Sequence, residues 1–133
     1  AVCMNGGCGQ VFQGGRIYHT PATGAHILSG PIQSAWMAQG WETGPLGYPT
    51  SGAICKNGGC GQVFQGGRIY ETAATGAHAL TGPIQSAWMA QGWETGSLGY
   101  PTSDVYAVSG GQAQNFQGGK LVLDAVTGTV RRG

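Results

Sequence analysis

The chain has 133 residues, of which 8% are charged and 27 are glycine, and its formal net charge is +1. So little charge, against roughly 25% in an average globular chain, leaves no basic stripe for neutralising phosphates and excludes a nucleic-acid binder. The 41% hydrophobic content excludes charge-driven disorder, no apolar run approaches the roughly 20 residues of a membrane span, and glycines without a G-X-Y period serve turns, not a collagen helix.

Internal repetition organises everything else. Residues 3–51 reappear as 55–103, and only six aligned pairs differ: Met4/Lys56, His19/Glu71, Pro21/Ala73, Ile27/Ala79, Ser29/Thr81 and Pro45/Ser97. A third, diverged copy follows at the same offset. Phe116-Gln117-Gly118-Gly119-Lys120-Leu121 answers Phe64-Gln65-Gly66-Gly67-Arg68-Ile69, and Thr127-Gly128 answers Thr75-Gly76. This divides the chain into repeat 1 (residues 1–51), repeat 2 (52–103) and a partial repeat 3 (104–133), which holds the first half of the unit only.

Within the unit, Asn5-Gly6 is a two-residue hairpin signal that sets Met4 against Gly7 and Cys3 against Cys8. A non-hydrogen-bonded pair there has Cα atoms about 4.5 Å apart, at the short edge of disulfide geometry. Gln10 to Gln13 continues as a strand, Gly14-Gly15 turns, Arg16-Ile17-Tyr18 runs back, Thr23-Gly24 turns, and Ala25 to Leu28 is a short strand. The second half is helical. Ser29-Gly30 supplies an N-cap and Pro31 the first helical position. Ile32, Ala35, Trp36 and Gln39 share one face. Gly40 stops the helix, and Trp41 is the hydrophobic residue after the stop. Turns through Glu42-Thr43-Gly44 and Leu46-Gly47-Tyr48-Pro49 lead into the next unit.

The third copy discriminates scaffold from ornament. It keeps the aromatic, the Gly-Gly pair and the Thr-Gly turn. It replaces the cysteines with Ala107 and Gln112 and sets Val130 at the place of His78. The cysteines and the histidine are therefore dispensable for the local fold.

Gly-Gly-Arg-Ile-Tyr, Ala-Thr-Gly-Ala-His, a proline-started helix bearing Trp, and then Leu46-Gly47-Tyr48-Pro49 or Leu98-Gly99-Tyr100-Pro101 together resemble the LGFP repeat, with Tyr in place of Phe. The resemblance implies a secreted actinobacterial protein, one whose repeats often follow a catalytic domain such as a mycolyltransferase or a peptidoglycan amidase. It further implies attachment to the cell wall, through arabinogalactan or another wall glycan. The fold class it implies is β-rich α+β: tandem repeats of a small antiparallel meander plus a short helix in propeller-like packing. Two and a half units are too few for a closed ring of the usual size, so either two chains complete a ring, or the array is small and open, or the sequence is a piece of a longer one. The paired cysteines are not part of the family pattern.

Chemistry narrows to binding. Cys3/Cys8 and Cys55/Cys60 are read as two disulfides on hairpins, each stabilising by about 2 kcal/mol at most; a four-cysteine zinc site is the alternative. Disulfides place the protein outside the cytoplasm. Ala1-Val2-Cys3 is not a signal peptide, so an export signal is expected upstream or already removed. No catalytic set, metal or cofactor is expected. The acidic residues form no close pair, and Ser34 or Ser86 with His26 or His78 lacks a nucleophile turn such as G-x-S-x-G. Glycan modules use aromatic faces for sugar C–H surfaces and planar polar groups for hydroxyls. The candidate ligand-binding residues are Arg16, Tyr18, His26, Trp41 and Glu42, with their counterparts Arg68, Tyr70, His78, Trp93 and Glu94. Trp36, Trp88, Phe12, Phe64 and Phe116 read as core, Tyr48 and Tyr100 as turn packing, and Arg16 and Arg68 as exposed beyond a Gly-Gly turn. The expected partner is a wall polysaccharide, with pairing of two chains as a further interaction. The competing readings are a protein-interaction or assembly module and, behind it, a small wall hydrolase.

Overall fold

The structure, a computed structural model, describes residues 2–4, 6–56 and 58–133. Each unit opens with four antiparallel strands in sequential order. Unit 1 has β1 (Val2–Met4), β2 (Gly7–Phe12), β3 (Gly15–Thr20) and β4 (Gly24–Leu28). Unit 2 has β5 (Ile54–Lys56), β6 (Gly59–Phe64), β7 (Gly67–Thr72) and β8 (Gly76–Leu80). Unit 3 has β9 (Tyr106–Val108), β10 (Gly111–Phe116), β11 (Gly119–Asp124) and β12 (Val130–Arg132). Met4 faces Gly7 and Cys3 faces Cys8, the register a two-residue turn demands. Asn5 and Asn57 of the two Asn-Gly turns lie outside the described residues.

Both cysteine pairs are disulfides, with Cα atoms 3.9 Å apart for Cys3–Cys8 and 4.0 Å for Cys55–Cys60. This settles the choice between bridges and zinc. In unit 3, Ala107 and Gln112 occupy the same paired positions. That hairpin closes without a bridge, so local turn chemistry, not the cross-link, sets the register.

Helices α1 (Gly30–Ala38) and α2 (Gly82–Ala90) follow the first two meanders. Their proline sits in the first turn, but neither Ser29 nor Thr81 makes a side-chain cap bond. The expected serine cap is thus not made, and the first helical bond runs from Gln33 N–H to the Ser29 carbonyl (3.2 Å). At the other end Gly40 takes φ 106°, a left-handed conformation that glycine reaches without strain. Its N–H donates to the Met37 carbonyl at 3.1 Å, half of the expected helix-stop motif.

Each helix is shared between two sheets. Trp36 is fully buried between Tyr18 and Leu28 of its own meander and Phe64 and Ile69 of the next. Its indole N–H donates to the Gly47 carbonyl at 2.8 Å. Trp88 repeats the arrangement with Tyr70, Leu80, Phe116 and Leu121, donating to Gly99 at 2.8 Å. A buried Trp whose single donor is satisfied contributes its full apolar area to the core.

A strap then ties each unit to its successor. From Leu46 to Ser51 the chain runs along the tip of the β6–β7 hairpin. Gly66 N–H donates to Leu46 O (2.8 Å), Gln65 N–H to Tyr48 O (3.0 Å) and Thr50 N–H to Val63 O (2.8 Å). The Gln65 side chain accepts Tyr48 N–H at 2.9 Å, and the buried Gln62 amide donates to Ser51 O at 2.9 Å and to Ile27 O at 3.0 Å. Gln117, Gly118 and Gln114 hold the second strap in the same way.

Among the described residues the sheets are not closed into a ring: they form an open row in which each core cluster joins neighbouring units only. Two expectations need correction. Phe12 is not core. It is 49% exposed, against 3% for Phe64 and 5% for Phe116, because no described helix or strap covers the outer face of unit 1. Val130 is not the structural counterpart of His78. His78 pairs with Tyr70, whereas Val122, which stands where Tyr70 does, pairs with Arg131. The last hairpin turn is one residue longer and moves β12 by one position.

Candidate binding groove

The inner face of each meander carries the polar candidates, because cross-strand partners share a face. In unit 2, Arg68 pairs with Val63 and Leu80, and Tyr70 with Gly61 and His78. Tyr70 lies flat against the strand, since a Cβ on Gly61 would sit 2.6 Å from its ring; Tyr100 lies likewise over Gly59, at 2.5 Å. Glycine is required at both positions to let an aromatic ring approach the backbone so closely.

Directly after α2, residues Trp93–Thr95 form a 3-10 turn. Trp93 has φ 60°, as has Trp41 in the equivalent turn of unit 1. A bulky residue in this region costs on the order of 1–3 kcal/mol and persists only where its surroundings hold it. Two contacts hold it here. The indole meets the Trp88 ring at 5.9 Å between centroids, and the Arg68 guanidinium lies over it at 4.7 Å. The unit 1 values are 5.9 Å and 4.6 Å for Trp36–Trp41 and Arg16–Trp41. Arg16 and Arg68 are therefore not free surface arginines: both are half-buried, each with its guanidinium over an aromatic ring.

In unit 2 these groups wall a groove of about 370 Å³. Arg68, Trp93, Glu94 and Thr95 line it together with Tyr70, Tyr100, Gly59 and Gly61. Burial pushes the Tyr70 phenol above its ordinary range, the Glu94 carboxylate adds to this, and Arg68, which hydrogen-bonds it, acts in the opposite direction. Tyr100 is raised by burial first, then by Glu94. In unit 1, burial and then Glu42 raise Tyr48. One oxygen of Glu42, Oε2, is buried and takes no hydrogen bond among the described residues, so it is an acceptor without a donor.

Four of the five candidates in unit 2 thus line one groove: Arg68, Tyr70, Trp93 and Glu94. His78 does not line it. Its ring is a structural tie, with Nε2 2.7 Å from Thr75 O and Nδ1 2.8 Å from the Asp104 carboxylate of unit 3. His26 makes the same turn contact with Thr23 O at 2.6 Å, but Gly52 stands where Asp104 would be. Tyr100 and Thr95 were not among the expected site residues. The sequence reads Tyr100 as turn packing, and the signal for it is its membership of the aromatic and polar set that each full unit repeats.

The fold and site define an open array of three meanders, the first two followed by a helix and each of those two placing a guanidinium and a carboxylate beside aromatic side chains. The LGFP repeat model matches residues 2–44, 46–96 and 98–131, and the chain belongs to the LGFP repeat family. No curated protein matches it. No helix among the described residues is long and apolar enough to cross a membrane.

Proposed function

We propose that the protein is a secreted, non-enzymatic module that binds a cell-wall glycan, arabinogalactan being the leading candidate, and thereby holds a protein to the actinobacterial envelope. The observation that carries this reading is the twofold construction of one polar group. Arg16–Trp41–Glu42 and Arg68–Trp93–Glu94 are built 52 residues apart, with stacking distances of 4.6 and 4.7 Å.

The chemistry suits neutral hydroxyls. A guanidinium fixed on an indole presents paired donors to a vicinal diol with little rotamer entropy left to lose. The carboxylate beside it accepts from hydroxyl donors. The tryptophans serve as platforms for the arginines, so sugar recognition is more polar than a bare aromatic stack would give. Two weak sites on one rigid array gain avidity on a repetitive polymer, by factors of about 100 to 10,000 where the spacing fits. The disulfides fit an oxidising compartment.

The test is depletion of the protein from solution by delipidated actinobacterial walls, prepared with and without arabinogalactan. Binding only to walls that retain the polysaccharide is the expected result, with Arg16→Ala/Arg68→Ala reducing it at least about tenfold through loss of both sites. Equal recovery of the protein from both walls would overturn the reading.

A further inference from the structure

We infer that the outer face of unit 1 is a binding site for a Leu-Gly-Tyr-Pro-Thr-Ser strap supplied by another polypeptide segment of this repeat type. This does not rest on the glycan reading. Residues 9–18 are identical to residues 61–70, and in unit 2 that stretch receives the strap of unit 1. The groups that do so are the Gln65 and Gly66 N–H groups, the Val63 carbonyl, and the Gln65 and Gln62 side chains. Unit 1 has every one of these groups, at Gln13, Gly14, Val11 and Gln10, and all four residues are exposed.

The third copy shows which residues the receptor needs. It has diverged at Ala113, Asn115, Lys120 and Leu121, yet Gln114, Phe116, Gln117 and Gly118 remain and hold the second strap with the same bonds. Unit 1 has this Gln-x-Phe-Gln-Gly set at residues 10–14, with Phe12 half-exposed beside it.

The occupant is defined by what the two filled sites accept. Leu46 and Leu98 are fully buried. Pro49 and Pro101 lie in bridge pairing with Phe64 and Phe116. Gly47 has φ 70°, and a Cβ there would stand 2.6 Å from Gln65 Oε1, so no other residue fits without displacing the glutamine. A second folded copy of this chain has both straps engaged at its own units 2 and 3. The helix slot of unit 1 also differs, since Ile27 replaces the Ala79 that packs in the core beside α1. The strap, added strand-like along the hairpin tip, is therefore the occupant.

The probe is an end-blocked peptide with the sequence of residues 45–52, titrated into the isotopically labelled whole chain and followed by amide chemical shifts. Saturable shifts confined to residues 10–17, in the millimolar range expected of a short peptide, support the site. Gln13→Ala in the chain is expected to weaken binding about tenfold, by removing the acceptor equivalent to Gln65 Oε1. Absence of shifts at about 5 mM peptide overturns the inference. Undiminished shifts with a peptide whose glycine at the Gly47 position is alanine overturn it as well, because they mark unspecific adhesion to Phe12. So does concentration-dependent self-association of the chain that buries Phe12 without peptide, which would assign the face to a second copy.

Discussion

Phe12 and Phe64 occupy the same position in identical ten-residue segments, yet one is half-exposed and the other buried. Their strands, turns and cross-strand partners agree: Phe12 faces Gly15, and Phe64 faces Gly67. What differs is the neighbour. Unit 2 lies under the helix and strap of unit 1, while the same face of unit 1 has no described cover. In this array, local sequence sets conformation and adjacency sets burial, so the energetic weight of a residue is a property of the junction and not of the unit.

Mutation can break that comparison at its strongest point first. Trp88 joins units 2 and 3, and Trp88→Ala is expected to cost about 3–5 kcal/mol, the range for a buried aromatic truncated to alanine, read as a fall in urea midpoint. Next, Phe64→Ala is expected to cost about 3 kcal/mol and Phe12→Ala less than about 1 kcal/mol by the same measurement. Equal losses would mean that adjacency does not decide their burial.

Proton linkage gives a third, smaller effect. Tyr48, Tyr70 and Tyr100 have phenols raised chiefly by burial, so the folded state holds those protons more tightly than the unfolded one. Their contribution is complete below the unfolded tyrosine value of about 10 and is lost as pH rises through the higher folded values. Urea midpoints are expected to be level from pH 7 to pH 9 and to fall above pH 10, with late-ionising tyrosines visible in the ultraviolet titration. The smallest effect belongs to the tie between His78 and Asp104, which unit 1 lacks. Asp104 is largely exposed, and Asp104→Asn is expected to cost under about 1 kcal/mol and to lower thermal stability of the unit 2–unit 3 junction slightly.

The same distinction explains what could be read in advance. Asn-Gly and Gly-Gly turns, the facing cysteines and the Pro-to-Gly helix are decided within a few residues; the first two units follow all of them, and the third meander follows the Gly-Gly turn alone. Trp36 and Trp88 were legible as core because helical spacing puts them on the apolar stripe with Ile32 and Ile84. The exposure of Phe12 was not legible, since it depends on what lies across a junction. Nor was the stacking of Arg68 on Trp93. It requires a left-handed tryptophan, which residue preferences disfavour and only the packed turn enforces. The displaced β12 escaped because the Thr127-Gly128 match holds in sequence while the turn around it is one residue longer.

Because every helix is shared and every strap reaches only to the next hairpin, the chain's assembly is short-ranged in time as well as in space. The side-chain bonds from Gln62 to Ile27 and from Gln114 to Ala79 span 35 residues each, and the strand pairs close within a single unit. Low contact separation of this kind speeds folding. A chain emerging from its N-terminus completes the first junction once the second hairpin is free, long before its last residues appear. Such an array consolidates progressively behind the point of emergence, and its apolar helix faces are covered in step with synthesis or export instead of waiting for a distant partner.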